Sequence, residues 1–112
     1  MFAELNKKKW SKDTEGFEFL KLNDYLERIP EGEEKEIVIY GYVISTKGKY
    51  GDSIAVIADD CFVNIPSWNI PTFKGMSEEQ IEALDQGKCK LINFREVSTN
   101  SGKTIAFDFA DV

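Results

Sequence analysis

The order of its strand-like runs is the feature that most limits what this 112-residue chain can fold into. Five runs are rich in apolar and β-branched residues, which favours strands, and one helical segment separates the third run from the fourth. In chain order the elements are Ile37–Ile44, Ser53–Ala58, Cys61–Ile65, the helix Ser77–Gln86, Lys88–Val97 and Thr104–Val112. The sequence therefore predicts a mostly β domain with one short helix in its second half.

Local signals mark the ends of these elements. Ser77 and Gln80 have the spacing of a capping box, and Gly87 follows as a helix stop. The polar run Ser98–Lys103, with a glycine near its end, predicts a hairpin loop between the last two strands. Gly41 interrupts the apolar run IVIYGYVI, and a glycine inside a strand often marks a sharp bend. We therefore expect the first strand to be bent at this residue.

Three strands, a helix and two further strands is the element order of the oligonucleotide-binding (OB) fold, a five-stranded barrel. Its bent first strand pairs with strands on both sides of the barrel. The second and third strands and the 1–2 and 4–5 loops form the binding surface of such barrels. We predict an OB-fold-like barrel here, with six apolar positions buried in its core: Ile39, Val43, Val56, Ile92, Ile105 and Phe107.

Residues 1–35 are predicted to be an N-terminal extension that packs on a barrel formed by residues 36–112. Alternation over Phe17–Leu22 predicts a short strand, and Asn23 can cap a helical turn that runs to Arg28. Pro66–Gly75 contains two prolines, so we predict a connector there instead of a strand or a helix.

Charge and composition exclude several classes of protein. Lys and Arg number 14 and Asp and Glu 20, which gives a net charge of −6. This charge argues against simple electrostatic capture of nucleic acid, unless the basic residues gather on one face. No apolar run approaches 18 residues, so no membrane span is predicted. No apolar stretch follows Lys7–Lys9, so no signal peptide is predicted and we expect a cytoplasmic protein.

Catalytic and metal-binding motifs are absent from the sequence. With two cysteines and no histidine the chain cannot build a tetrahedral zinc site alone, and a nucleophile would lack its commonest base. Cys61 and Cys89 lie in strand-like runs, where reduced, buried thiols are expected. Asp59-Asp60 has the composition of a turn, and with Asp52 it lacks calcium-loop spacing. We predict no enzyme activity and no cofactor.

Basic, amide and aromatic residues converge on the predicted binding surface of the barrel. Lysines there would neutralise phosphates, and aromatic rings would stack on bases. The candidate residues are Lys47, Lys49, Tyr50, Phe62, Asn64, Trp68, Arg95 and Lys103. Two alternatives remain open: Phe62 belongs to the core, and the loop lysines serve only solubility. The Lys7–Lys9 segment with Trp10 either extends the surface or forms a solvated end from which Trp10 packs onto the barrel.

Two segments carry a resemblance to a known group of proteins. The runs GYVISTKGKYGDSIAVIADDCFVNIP and GKCKLINFREVSTNSGKTIAFDF resemble small proteins of phages and conjugative elements of low-GC Gram-positive bacteria. Some of these are labelled single-stranded DNA-binding. The resemblance covers residues 36–112 and implies an accessory role in replication or transfer, with Lys47, Lys49 and Tyr50 contacting DNA.

Two functions from different classes therefore remain. The first is binding of single-stranded DNA, and the second is an acidic module that binds a protein partner. They differ in the surface expected over the second and third strands. A basic and aromatic strip there favours nucleic acid, whereas an acidic or bare apolar patch favours a protein.

Overall fold

The computed structural model describes residues 10–46, 51–100 and 102–112. Seven strands and three α-helices occur in this part of the chain. The strands are β1 (Glu18–Lys21), β2 (Ile37–Ile39), β3 (Tyr42–Ser45), β4 (Ser53–Ile57), β5 (Cys61–Ile65), β6 (Cys89–Thr99) and β7 (Gly102–Asp111). The helices are α1 (Leu22–Glu27), α2 (Ile70–Lys74) and α3 (Glu78–Asp85), and a 3-10 turn at Ser67–Asn69 precedes α2. The chain is mostly β, as predicted.

The strands form two sheets that share the bent first run of the prediction. One sheet has the order β1-β5-β4-β3 and the other has the order β2-β6-β7. The predicted first strand divides at Gly41, so that β2 belongs to one sheet and β3 to the other. The Tyr40 N–H donates to the Ile57 carbonyl, and the Ile57 N–H donates to the Gly41 carbonyl, both at 2.8 Å. The bend predicted at Gly41 is thus confirmed.

The predicted closed, five-stranded barrel is not confirmed, because the described residues form no hydrogen-bonded ring of strands. The five predicted strands follow one another in the order β5, β4, β3 with β2, β6 and β7, so β5 and β7 are at the two ends. A closed barrel would require these two strands to pair. The edge of β5 is instead occupied by β1, which pairs with it in parallel. The N-terminal extension therefore takes the place at which the last strand would close the barrel.

The core lies between the two sheets and the helices. Its largest fully buried side chains are Phe73, Ile37, Ile39, Ile54, Leu84, Leu91, Val56 and Val63. Ile57 is equally buried, but it lies on the opposite face of β4 from Val56. Of the six predicted core positions, Ile39, Val56 and Phe107 are buried, while Ile92 and Ile105 are half-buried. The prediction for Val43 was wrong. Tyr42 and Ile44 point inward from β3, so the period of a strand turns Val43 outward, where it is 42% exposed.

The capping box of α3 is present as predicted. The Ser77 hydroxyl accepts from the Gln80 N–H at 3.2 Å, and the Gln80 side-chain oxygen accepts from the Ser77 N–H at 2.8 Å. Gly87, at φ 71°, follows the helix in the left-handed region that a helix stop requires. The capped helix lies between the third and fourth predicted strands, and it buries Leu84.

Three local predictions need correction. Pro66–Gly75 contains helix α2, because Pro71 lies in the first turn, where a missing N–H costs no hydrogen bond. Helix α1 begins at Leu22 after Lys21, one residue before the predicted cap Asn23. The β6–β7 ladder continues to the pair Thr99–Gly102, so the hairpin loop is shorter than predicted.

No helix in the described part of the chain is long and apolar enough to cross a membrane.

Candidate nucleic-acid interface

The described strand positions on the outer face of the β1-β5-β4-β3 sheet carry almost no charge. Side chains alternate between its two faces, and Val56 and Val63 mark the inner one. The register then places nine strand residues on the outer face: Phe19, Lys21, Val43, Ser45, Ser53, Ala55, Ile57, Phe62 and Asn64. Not one of these nine is a carboxylate, although the chain has 20 Asp and Glu residues, and Lys21 is the one cation among them.

Three phenylalanines form what we call the outer aromatic group: Phe17, Phe19 and Phe62. Phe19 stacks on Phe62 with ring centroids 4.6 Å apart and an interplanar angle of 16°, and Phe17 meets Phe62 edge-on at 5.8 Å. Parallel pairing of β1 with β5 sets Phe19 directly beside Phe62. Phe19 is 59% exposed. Only part of its ring is covered by Phe62, so it can stack on a further planar group.

A cleft continues this face toward the β6–β7 hairpin. It encloses about 350 Å³. Its polar lining comes from Lys21, Asn23, Asn64, Glu96, Lys103 and Thr104. Lys21 and Asn64 are neighbours in the β1–β5 register, two residues along each strand from the stacked phenylalanines. Side chains two apart on one face of a strand are about 7 Å apart, so rings and hydrogen-bond donors form one continuous surface.

The two lysines of the cleft are accessible to a ligand. Lys103 Nζ lies 3.3 Å from Glu96 Oε1, with both side chains well exposed. Exposed ion pairs of this kind contribute little to stability, about 0–1 kcal/mol, so a phosphate can compete for the lysine. Lys21 makes no ion pair with any carboxylate in the described part of the chain. The cleft can therefore present two cations beside the outer aromatic group.

Three predicted site residues, Lys47, Lys49 and Tyr50, lie outside the described residues. Phe62 and Asn64 share the outer face, and Lys103 lines the cleft. Trp68 is 49% exposed on the 3-10 turn, and its ring lies 6.5 Å from that of Phe107. It is not among the residues that line the cleft.

Arg95, also a predicted site residue, is held by its own hairpin. Its Nη1 donates to the Asn93 carbonyl at 2.9 Å, and its Nη2 lies 3.3 Å from Asp108 Oδ1. Asn93 also donates to Asp108 Oδ2 at 3.1 Å. The hydrogen bond from Asn93 and the contact with Arg95 lower the pKa of Asp108. These contacts lie at an irregularity in the β6–β7 register, so Arg95 has a structural role there.

Sequence reasoning missed Phe17, Phe19 and Lys21 as part of this surface. The alternation of residues 17–21 predicted a strand, but the partner of that strand is more than 40 positions away in the chain. The signal that could have found them is the common spacing of Phe19-x-Lys21 and Phe62-x-Asn64. It marks two strands that can present a ring and a polar group side by side.

The acidic turn Asp59-Asp60 has structural contacts. Tyr40 donates its hydroxyl to Asp59 at 2.7 Å, and Arg28 pairs with Asp60 at 2.8 Å. The hydrogen bond from Arg28 lowers the pKa of Asp60. Burial and the neighbouring Asp60 raise the pKa of the Cys61 thiol, which favours its unreactive protonated form.

Among the residues described, no cluster of three or more acidic or cysteine side chains could hold a metal ion.

Comparison with known proteins adds no relative. Family models, curated proteins and solved structures all give no match to this chain.

Proposed function

We propose that this protein binds single-stranded nucleic acid, DNA in the first place, on the outer face of the β1-β5-β4-β3 sheet and in the adjoining cleft. The observation that supports this most directly is the outer aromatic group on a face whose strand positions carry no carboxylate. In a chain of net charge −6, such a face is where a polyanion meets the least repulsion. The resemblance to phage and conjugative-element proteins suggests replication or transfer in the cytoplasm as the setting.

We further propose that the two sheets are an opened OB-type barrel. The shared first run, bent at Gly41, and the helix α3 between β5 and β6 support this relation. In such barrels the second and third strands, here β4 and β5, form the binding surface. Phe62 and Asn64 occupy that surface, and β1 widens it by one strand that contributes Phe19 and Lys21.

Each part of the surface has a distinct physical role in this proposal. A base stacks on the exposed part of the Phe19 ring, which is worth about 1–3 kcal/mol per base and tolerates any sequence. Lys21 and Lys103 neutralise phosphates and release counterions, which makes binding depend on salt. Lys47, Lys49 and Tyr50 of the predicted 1–2 loop would extend the same contacts.

The test is a titration of a fluorescein-labelled dT15 oligonucleotide, followed by anisotropy at two salt concentrations. Phe19→Ala should weaken binding by about 1–3 kcal/mol with the salt slope nearly unchanged. Lys21→Gln should weaken binding and reduce the slope by about 0.7, the value for one phosphate contact of a single strand. Lys74→Gln, an exposed lysine on α2, makes the same charge change away from the cleft and should have a smaller effect.

Phe19→Leu separates stacking from simple apolar contact. It keeps most of the volume and loses the planar ring, so a stacking role predicts that it binds as poorly as Phe19→Ala. No binding by the wild-type protein at low salt would refute the nucleic-acid proposal. The second candidate, a protein-binding module, would then stand, because Phe19 and Val43 are both exposed apolar side chains on the same face.

A further inference from the structure

Strand β7 has a free edge in the described structure. The Val112 N–H donates to the Lys88 carbonyl at 3.0 Å, and the register pairs Asp111 with Cys89. Backbone groups in an antiparallel ladder alternate in direction, so those of Phe109 and Asp111 point away from β6. No backbone hydrogen bond between described residues outside the ladders uses either of them. The outer edge of β7 therefore offers N–H and C=O groups at two alternate residues.

A cavity of about 470 Å³ opens beside this edge. Phe109 and Asp111 line one side, and residues of α2, α3 and the segment between them line the other, among them Thr72, Met76 and Leu84. Phe109 is 38% exposed there. The lining is mostly apolar near Met76, Leu84 and Phe109, which suits an aliphatic or aromatic side chain.

We propose that an extended segment of a protein partner adds to β7 at Phe109 and Asp111 and inserts one apolar side chain into this cavity. An extended backbone presents N–H and C=O groups at a repeat of about 7 Å, which is the spacing of these two residues along the edge. This is the strand-addition mode of peptide recognition, in which backbone bonds give affinity and a pocket gives specificity.

The walls of the cavity distinguish a peptide from a second copy of the chain. Helices α2 and α3, with the segment between them, supply the cavity wall that faces Phe109 and Asp111. A second copy that paired through its own β7 would bring the same two helices against these walls. The site is also separate from the proposed nucleic-acid surface, because Lys103 lies at the opposite end of β7.

Amide hydrogen exchange measured by NMR tests the proposal. In the free protein the amides of Phe109 and Asp111 should exchange fast, whereas Ala110, bonded to β6, should be protected. The probe is the blocked peptide acetyl-Lys-Thr-Leu-Thr-Lys-amide at millimolar concentration, together with versions that carry Phe or Ile in place of Leu. At least one of the three should slow the exchange of Phe109 and Asp111 about tenfold or more.

Two controls test the backbone bonds and the cavity separately. The same peptide with its Leu amide N-methylated should protect neither amide, because its Leu no longer donates to β7 and the methyl group keeps the two backbones apart. Thr72→Leu narrows the cavity and should abolish protection, whereas Lys74→Leu on the same helix should leave it intact. Failure of all three peptides, protection by the N-methylated peptide, or full protection in Thr72→Leu would each overturn the proposal. Oligonucleotide binding by Thr72→Leu should equal that of the wild type.

Discussion

Two groups of contacting aromatic side chains differ in burial much more than in the distance between their rings. In the inner aromatic chain, Tyr42 contacts Phe73 at 5.1 Å, and Phe73 contacts Phe109 at 5.5 Å. The rings of the outer aromatic group are 4.6 to 5.8 Å apart. Yet Phe73 is fully buried, whereas Phe19 is 59% exposed. Ring contact alone therefore does not identify a core, and exposure decides which group stabilises the fold.

The difference follows from the period of the strand. On β5, Val63 points inward and is fully buried, and its neighbour Phe62 points outward. Phe19 reduces the exposure of Phe62 without enclosing it. Phe73, at the centre of the inner chain, is fully buried, so its ring stabilises the fold, while the outer group leaves ring surface available to a ligand.

The largest expected effect comes from truncating the inner chain. Phe73→Ala should lower the free energy of unfolding by about 3–5 kcal/mol, because it removes a fully buried ring and leaves a cavity. Phe19→Ala should lower it by clearly less, because most of the side chain is already exposed and the aromatic contact itself is worth about 0.5–1.5 kcal/mol. Urea denaturation followed by circular dichroism measures both. Equal losses in the two variants would break the distinction and return the outer group to a purely structural role.

A smaller effect is expected where Trp10 joins the inner chain. Its indole N–H donates to the Tyr42 carbonyl at 2.9 Å, and its ring lies 5.3 Å from that of Tyr42. The ring lies directly on Gly41, so a Cβ at that position would overlap it. Gly41→Ala should cost about 1–3 kcal/mol, the usual range for overpacking, and should expose the indole.

Tryptophan emission reports this change. In a Trp68→Phe background, Gly41→Ala should shift the Trp10 emission to longer wavelength. The Trp68→Phe protein with Gly41 intact is the matched control. An unshifted spectrum together with unchanged stability would show that Trp10 does not depend on Gly41, and the inner chain would then end at Tyr42.

The local elements could be predicted from the sequence, and the long-range pairings could not. The capping box of Ser77 and Gln80 and the bend at Gly41 depend on residues close in the chain, so their patterns were sufficient. The position of β1 depends on contacts between residues 18–21 and 61–64, which no local pattern reports. That pairing also prevents β7 from closing on β5, and it explains why the predicted closed barrel is absent.

The same distinction holds for the candidate site. Alternation along β5 was enough to place Phe62 and Asn64 on one face. Phe19 and Lys21 join them only through the parallel pairing, so they were missed. Arg95 was predicted as a ligand contact from its charge. Its contacts with Asn93 and Asp108 depend on an irregular β6–β7 register, which the sequence pattern does not predict.

The smallest expected effect is on the protonation of Asp108 at low pH. It tests whether the β6–β7 hairpin is independent of the outer aromatic group. The hydrogen bond from Asn93 and the contact with Arg95 lower the pKa of Asp108 below that of an unfolded aspartate, about 3.9. A lowered pKa contributes stability that is fully present above the unfolded value and is lost as pH falls through the folded value. Asn93→Gly removes the main donor and keeps a residue suited to φ 55°.

The pKa of Asp108 in Asn93→Gly should therefore rise toward its ordinary value, measured by NMR titration of the side-chain carboxyl carbon between pH 2 and 6. The ring signals of Phe19 and Phe62 should stay constant over the same titration, because none of the described strand positions on the outer face of their sheet is a carboxylate. Ring signals that follow the Asp108 titration would show that the hairpin and the aromatic surface are coupled. In that case protonation of the hairpin would also alter oligonucleotide binding through the cleft that Lys103 lines.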